Sequence, residues 1–345
     1  VIGYRSRNDP GQESFMSSSR LGRRAALAGL AAAPLAAPAH AQAYPSRPVT
    51  LVVGFGAGGA TDVGARLLAT HGARHLGQSI VVENRVGASG VIGTDFVRRA
   101  RPDGYTMLMS RGAPATISPA IQPSTTPYAW DDFSIVGLAD VNALCVCVKA
   151  DAPFRTAGDL IAAIRARPGT LNYSSSGPLS LIGLASKMFL WAAGLKVDAA
   201  VEIPFRSGAE TLTAVIGGQV QFASFNMSEA APGLSAGTMR AVMVTVPDRF
   251  PGVAGVQTAR EAGLPVLESL VGWNALVGPP GLPPEVVARW TGVLAALKTD
   301  AEWTAGHARL GNIPRVLGQA ETKAFMREQY ELYVKLGREA GIAAG

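Results

Sequence analysis

The chain has 345 residues, 48% hydrophobic and 16% charged, with a formal net charge of +6 and two cysteines. That composition excludes a disordered chain and a disulfide-stapled miniprotein. Five arginines and two acids fall in the first 43 residues, so the remainder is only slightly basic and shows no nucleic-acid-binding character.

Residues 1–43 read as an upstream extension plus an export signal. Met16 to Arg24 is basic and acid-free, Ala25 to Ala39 is apolar, and Ala39-His40-Ala41 and Ala41-Gln42-Ala43 offer small-x-small cleavage sites. Pro34 and Pro38 and the short apolar run argue against a membrane span, and Arg23-Arg24 fits a twin-arginine leader as well as an ordinary one.

After the leader, Val49 to Val53 is a β-branched run that meets four glycines in six residues, Gly54-Phe55-Gly56-Ala57-Gly58-Gly59, and then a helix over Asp62 to Leu76. Strand, glycine loop and helix N-terminus together make an anion site, because the first helical turn leaves N–H donors free at the positive end of the dipole. The spacing Gly54-Gly56-Gly59 also satisfies the dinucleotide fingerprint, with Glu83 at the end of the next strand. An exported nucleotide-dependent oxidoreductase is therefore the alternative reading of this loop.

Further on, Ser79–Glu83 is a strand, Asn84 to Gly90 a second Gly-rich turn, Val91–Ala100 a helix and Tyr105–Met109 a third strand. Arg111 to Asp132 is expected to be a polar, proline-bearing connection. Phe133 to Lys149 is almost wholly apolar and reads as a strand crossing into a second lobe. There the β/α scheme repeats: helix Thr156–Ala166, strand Leu171–Ser174, loop Ser174 to Ser180, helix Leu181–Ala193, strand Ala200–Pro204 and helix Ala209–Ile216. Strands Gln219–Phe225 and Arg240–Val246 follow, then a return strand over Leu267–Val277 and closing helices Pro284–Leu297 and Glu321–Gly337. Alternating β and α elements imply sheets covered by helices, with a ligand cleft where strand-end loops of two lobes face each other.

From Tyr44 onward the sequence resembles the substrate-binding proteins of tripartite tricarboxylate transporters, the Bug-type solute receptors. The carrying residues are Tyr44-Pro45-Ser46-Arg47-Pro48-Val49, the Gly54 to Asp62 loop, Gln78 to Arg85 and Pro102-Asp103-Gly104-Tyr105-Thr106. Asn172-Tyr173-Ser174, Gly217-Gly218-Gln219-Val220, Arg240 to Thr245 and Glu261-Ala262-Gly263-Leu264-Pro265 complete the set. The resemblance implies an α/β two-lobe type II periplasmic-binding-protein fold, with residues 44–144 and 269–345 as one lobe and 145–268 as the other. It further implies no catalytic activity, no cofactor, a periplasmic location, a monomer, a small carboxylate ligand and integral membrane subunits as partners.

Carried over by position, the binding residues are Phe55, Ala57, Gly58, Gly59, Thr61 and Asp62 on the first loop and Ser174, Ser176, Gly177, Leu179 and Ser180 on the second, with Arg111, Arg206 and Asn226 added. Asp62 reads more as a helix N-terminal residue that fixes the loop than as a direct contact. The second loop departs from the family pattern: Pro178 and Leu179 stand where a glycine is usual, and Gly183 where a histidine is. A ligand with one carboxylate at the first lobe and an apolar body toward Leu179 and Phe225 is the resulting expectation.

Three other motifs read as structural. Gly233-Leu234-Ser235-Ala236-Gly237 matches G-x-S-x-G but precedes a strand, so Ser235 is not placed as a hydrolase nucleophile. His71 and His75 share a helix face with no third ligand nearby in sequence, so no metal site is expected. Cys145 and Cys147 alternate on one strand and read as reduced core residues.

Overall fold

A computed structural model describes residues 44–177, 179–246, 253 and 255–342. The export-signal features and Pro178 lie outside the described residues.

Two sheets organise the described residues. The first has the order β11-β4-β10-β3-β1-β2, formed by β1 (Val49–Val53), β2 (Ile80–Asn84), β3 (Thr106–Arg111), β4 (Ser134–Asn142), β10 (Gly272–Gly278) and β11 (Asn312–Leu317). The second runs β7-β6-β8-β5-β9, formed by β5 (Leu144–Lys149), β6 (Asn172–Ser175), β7 (Val201–Pro204), β8 (Phe222–Asn226) and β9 (Met239–Val244). β1 pairs parallel with β2 and β3, and β6 parallel with β7 and β8, as β-loop-α repeats require. The expected crossing is seen directly: β4 and β5 belong to different sheets and only Ala143 separates them. This is the two-lobe α/β architecture that the sequence implied.

Helices cover both sheets because strand residues on both faces are apolar; Val49, Leu51, Val52 and Val53 are all fully buried. Between β1 and β2 runs α1 (Ala60–Leu76), and α2 (Val91–Arg98) precedes β3. In the second lobe α4 (Ala157–Ala166), α5 (Leu181–Ala192), α6 (Gly208–Ile216) and α7 (Met227–Ser235) alternate with strands, taking α3 as Ser118–Ile121. The chain closes with α8 (Pro284–Leu297), α9 (Ala301–Arg309) and α10 (Gln319–Glu339).

Several boundaries differ from expectation, each for a local reason. Residues 111–132 are not simply a polar connection: Ala113–Ile117 forms a wide helical turn that runs into α3, and Ala113, Ile117 and Ile121 lie in the core of the second lobe. Pro114 and Pro119 are tolerated because they occupy first-turn positions, where no amide hydrogen is needed. The strand expected from Leu267 starts at Gly272, because Pro265–Ser269 forms a 3-10 turn. Helices α7 and α9 and strand β11 were not anticipated.

Candidate functional site

The first loop is a trussed structure. Asp62, buried in the first turn of α1, accepts the Gly58 N–H at 2.9 Å, Arg66 Nε at 2.9 Å and Asn84 Nδ2 at 2.9 Å. Asn84 Nδ2 also donates to the Phe55 carbonyl at 2.9 Å, tying the loop to the end of β2. Burial works to raise the Asp62 carboxyl pKa, but the hydrogen bonds from Arg66, Gly58 and Asn84 outweigh it and hold the group below its ordinary value. Gly58 sits at φ +79°, where a side chain is strained, so its role is conformational.

Four helix N-termini converge opposite and beside this loop. α1 starts after Gly59, α5 after Ser180, α6 after Ser207 and α7 after Asn226. Ser180 Oγ accepts the Gly183 N–H at 3.1 Å and Ser207 Oγ the Glu210 N–H at 3.2 Å, so the caps fix where each helix begins. Their positive ends point at an inner chamber of about 20 Å3, lined by Gly59, Thr61, Arg111, Ser176, Asn226 and Glu229 among others. That is room for about one water. Outside it lies a chamber of about 630 Å3, walled by Phe55, Leu179 and Phe205 with Ser118, Gln122 and Arg206 as polar groups.

Below the inner chamber a chain of buried polar groups crosses from lobe to lobe. Ser228 Oγ donates to Asn142 Oδ1 at 2.9 Å, and Asn142 Nδ2 donates to Asp140 Oδ1 at 2.9 Å. Asn274 Nδ2 donates to both Asp140 oxygens at 3.0 and 3.1 Å, and Arg111 Nη1 donates to Asn274 Oδ1 at 3.4 Å and Thr61 Oγ1 at 3.3 Å. α1 approaches so closely that a Cβ on Gly64 would lie 2.8 Å from Asn274 Nδ2. Burial raises the Asp140 carboxyl to about 7, against the hydrogen bonds of Asn274 and the charge of Arg111. Burial likewise lowers the Arg111 pKa, with Glu229 and Asp140 opposing the shift.

Of the residues expected at the site, Phe55, Gly59, Thr61, Arg111, Ser176, Gly177, Leu179, Ser180, Arg206 and Asn226 all line one chamber or the other. Four do not. Ala57 and Gly58 are the exposed tip of the first loop, and Asp62 faces Arg66 and Asn84. Ser174 is turned to the Thr211 carbonyl at 3.3 Å, because alternation along β6 sends its side chain under the sheet. The apolar wall also differs: Phe225 is packed in the core with Cys145, Cys147 and Met227, and Phe55 and Phe205 take its place beside Leu179. The main residue missed is Glu229. Asn226-Met227-Ser228-Glu229 is a capping box, a pattern readable from sequence, and it would also have marked the start of α7.

The structural readings of the remaining motifs separate. Ser235 is the exposed last residue of α7, away from any strand-to-helix elbow. Cys145 and Cys147 are free and buried. The expectation of no third ligand near the histidine pair is corrected, since α9 brings Asp300 and Glu302 to His71 with their donor atoms within 4.8 Å of one another. Arg74 already binds both carboxylates there.

Residues 64–310 match the model of the tripartite tricarboxylate transporter family receptor. Protein BugT of Bordetella pertussis is 30% identical over 90% of this chain and 95% of its own length. Among solved structures, an R. palustris protein with adipate has a TM-score of 0.81 at 30% identity, covering 87% of this chain and 99% of that one. MatC from Rhodopseudomonas palustris with bound malate has a TM-score of 0.80 at 26% identity, covering 85% and 99%. These likenesses span the whole β/α succession and give no support to the oxidoreductase alternative. With more than half its length matched by that family model and 30% identity to BugT over 90% of its residues, the chain belongs to the tripartite tricarboxylate transporter receptor family, the Bug-type solute receptors.

Proposed function

We propose that the chain captures a small carboxylate between its lobes and presents it to the integral membrane subunits of a tripartite tricarboxylate-type transporter. The observation that carries this reading is the convergence of four helix N-termini and a buried arginine on one small chamber. Hydrogen bonds to a charged group contribute about 1.5–3 kcal/mol each, so three or four support micromolar binding after ordering costs. The adipate and malate of the two R. palustris structures are carboxylates of the size this cleft accepts.

The same reading makes residues 44–144 and 269–345 one lobe and 145–268 the other, with hinges near Ala139–Leu144 and Leu270–Ala275. It places the protein in the periplasm by an N-terminal signal, as a monomer without catalytic activity. The apolar wall at Phe55, Leu179 and Phe205 suits a ligand with one anchored carboxylate and an aliphatic or aromatic body. Thermal-shift screening of monocarboxylates against citrate, malate, succinate and adipate tests this. Stabilisation by at least one carboxylate is expected. Stabilisation only by di- and tricarboxylates would overturn the apolar-wall argument, and stabilisation by none would overturn the carboxylate reading.

A further inference from the structure

The inner chamber holds a cation and an anion before any ligand arrives. Arg111 Nη2 and Asn226 Oδ1 are both buried, and neither has a hydrogen-bond partner among the described residues. They meet at one corner: a Cβ on Gly272 would touch Asn226 Oδ1 and lie 3.4 Å from Arg111 Nη2. Glu229 forms another wall. Its Oε2 is held within the second lobe by Asn226 N at 3.2 Å and Asn226 Nδ2 at 2.7 Å, while Oε1 reaches across the cleft to accept the Ala60 N–H at 3.1 Å. A side-chain carboxylate thus already sits on the α1 N-terminus, where a ligand carboxylate is expected.

The chamber has room for about one water, so a plain carboxylate reaches it only when the lobes part, and it then meets Glu229. The charge of Arg111 is already opposed by Glu229, so a second anion leaves the closed chamber with an uncompensated negative charge in a poorly screened space. Glu229 is held against swinging aside, because Oε2 accepts from both Asn226 N and Asn226 Nδ2 at the start of α7. A hydrogen-bond donor on the carbon next to the carboxylate relieves the contact with Glu229, and an ammonium group there relieves the excess charge as well. Arg111 Nη2 then binds the ligand carboxylate, and Glu229 Oε1 and Asn226 Oδ1 accept from the donor.

We infer that Glu229 is a specificity-determining residue and that this receptor selects 2-substituted carboxylates, bearing a hydroxyl or an ammonium group, over unsubstituted ones. The inference rests on the carboxylate reading of the cleft. An ammonium group also restores neutrality among Arg111, Glu229 and the ligand, whereas a hydroxyl supplies the donor alone.

Calorimetry with hexanoate, 2-hydroxyhexanoate and norleucine on the whole chain tests it, since the three share a body and differ only beside the carboxylate. At least one substituted acid is expected to bind about tenfold or more tightly than hexanoate. An advantage for norleucine assigns the donor as ammonium, and one for 2-hydroxyhexanoate assigns it as hydroxyl. Glu229→Gln keeps the length and one acceptor oxygen for Asn226 N–H but removes the charge, and is expected to bring hexanoate within about threefold of the favoured acid. Equal binding of all three to the unaltered protein, or an unchanged ratio in a folded Glu229→Gln protein, overturns the inference while leaving the carboxylate reading intact. Failure of all three to bind, with citrate, malate, succinate and adipate also silent, overturns both.

Discussion

Two clusters of charged groups in this molecule are built from similar residues and have opposite physics. One joins Arg111, Asp140 and Asn274, all buried, with the partly buried Glu229 beneath the cleft. The other joins Arg74, His71, His75, Asp300 and Glu302 on the outer face of the first lobe, where Arg74 is half exposed and Glu302 largely so. In the buried cluster each group is held in place by the cost of leaving another uncompensated, and in the exposed cluster water substitutes for any partner that is removed. A ligand bound at the first would compete with protein groups rather than with solvent, which is why the proposed site lies there.

Removing the arginine from each cluster should give the widest contrast. Arg111→Met leaves the buried Asp140 and Glu229 without their cation, and is expected to destabilise the fold by about 3–5 kcal/mol in chemical denaturation and to abolish carboxylate binding. A loss no larger than that of a surface substitution would show that water reaches the cluster.

Protonation separates buried groups of opposite sign. His307 is buried under Trp303, and burial, then the charge of His71, lowers it from 6.5 to about 4. Between those values the unfolded chain binds a proton that the native state refuses, so His307 makes stability rise with pH. Asp140 is raised from 3.8 to about 7, so over that window the native state keeps a proton that the unfolded chain has lost, and stability falls with pH. The two slopes, each about 1.4 kcal/mol per pH unit, oppose one another up to the ordinary histidine value. His307→Phe should uncover the Asp140 arm as a loss of about 3–4 kcal/mol from pH 4 to pH 7 in denaturant midpoints. A flat profile in that variant would mean that the Asp140 carboxyl is not raised.

Smaller effects sharpen the contrast on the binding side. Gly58→Val forces a branched side chain onto φ +79° at the loop tip and should weaken binding by about 1.4 kcal/mol or more, read by calorimetry, with the fold intact. Asp300→Ala should cost about 1 kcal/mol, because Asp300 caps α9 through the Glu302 and Trp303 N–H groups as well as pairing with Arg74. Arg74→Ala should be silent within experimental scatter, and a clear loss there would erase the distinction between the clusters.

The alternation of β-branched runs, glycine turns and amphipathic stretches made the first lobe legible from β1 to β3, since parallel strands covered on both faces must be continuously apolar. The crossing through Asn142-Ala143-Leu144 was legible as an apolar run, because β4 and β5 are buried along almost their whole length. What stayed hidden depends on partners distant in sequence. Arg111 was in view as a cleft residue, but its partners Thr61 and Asn274 are brought to it only by the fold. α7 was obscured by Pro232 and by a G-x-S-x-G string, although its capping box was in view. β11 carries Pro314 on an edge strand, where proline is tolerated and the strand signal is weak. Ser174 shares the Ser/Gly composition of the loop that follows it, but the alternation of β6 turns its hydroxyl to the Thr211 carbonyl and away from the cleft.

Helix α10 has a mechanical consequence. At its N-terminal end Thr322 accepts the Leu138 N–H at 2.8 Å and Met326 packs in the first lobe's core. Toward the other end Tyr333, Leu336 and Ala340 are buried in the core shared with the second lobe. A single stiff rod of 21 residues, about 30 Å long, is thus clamped at both ends to parts that must move when the cleft opens. Where the lobes part about the proposed hinges, such a rod ties their movement together, so opening should follow one arc rather than many. Amide exchange should then be slowest at both clamps and fastest over the intervening turn, and uniform protection along the rod would exclude this behaviour.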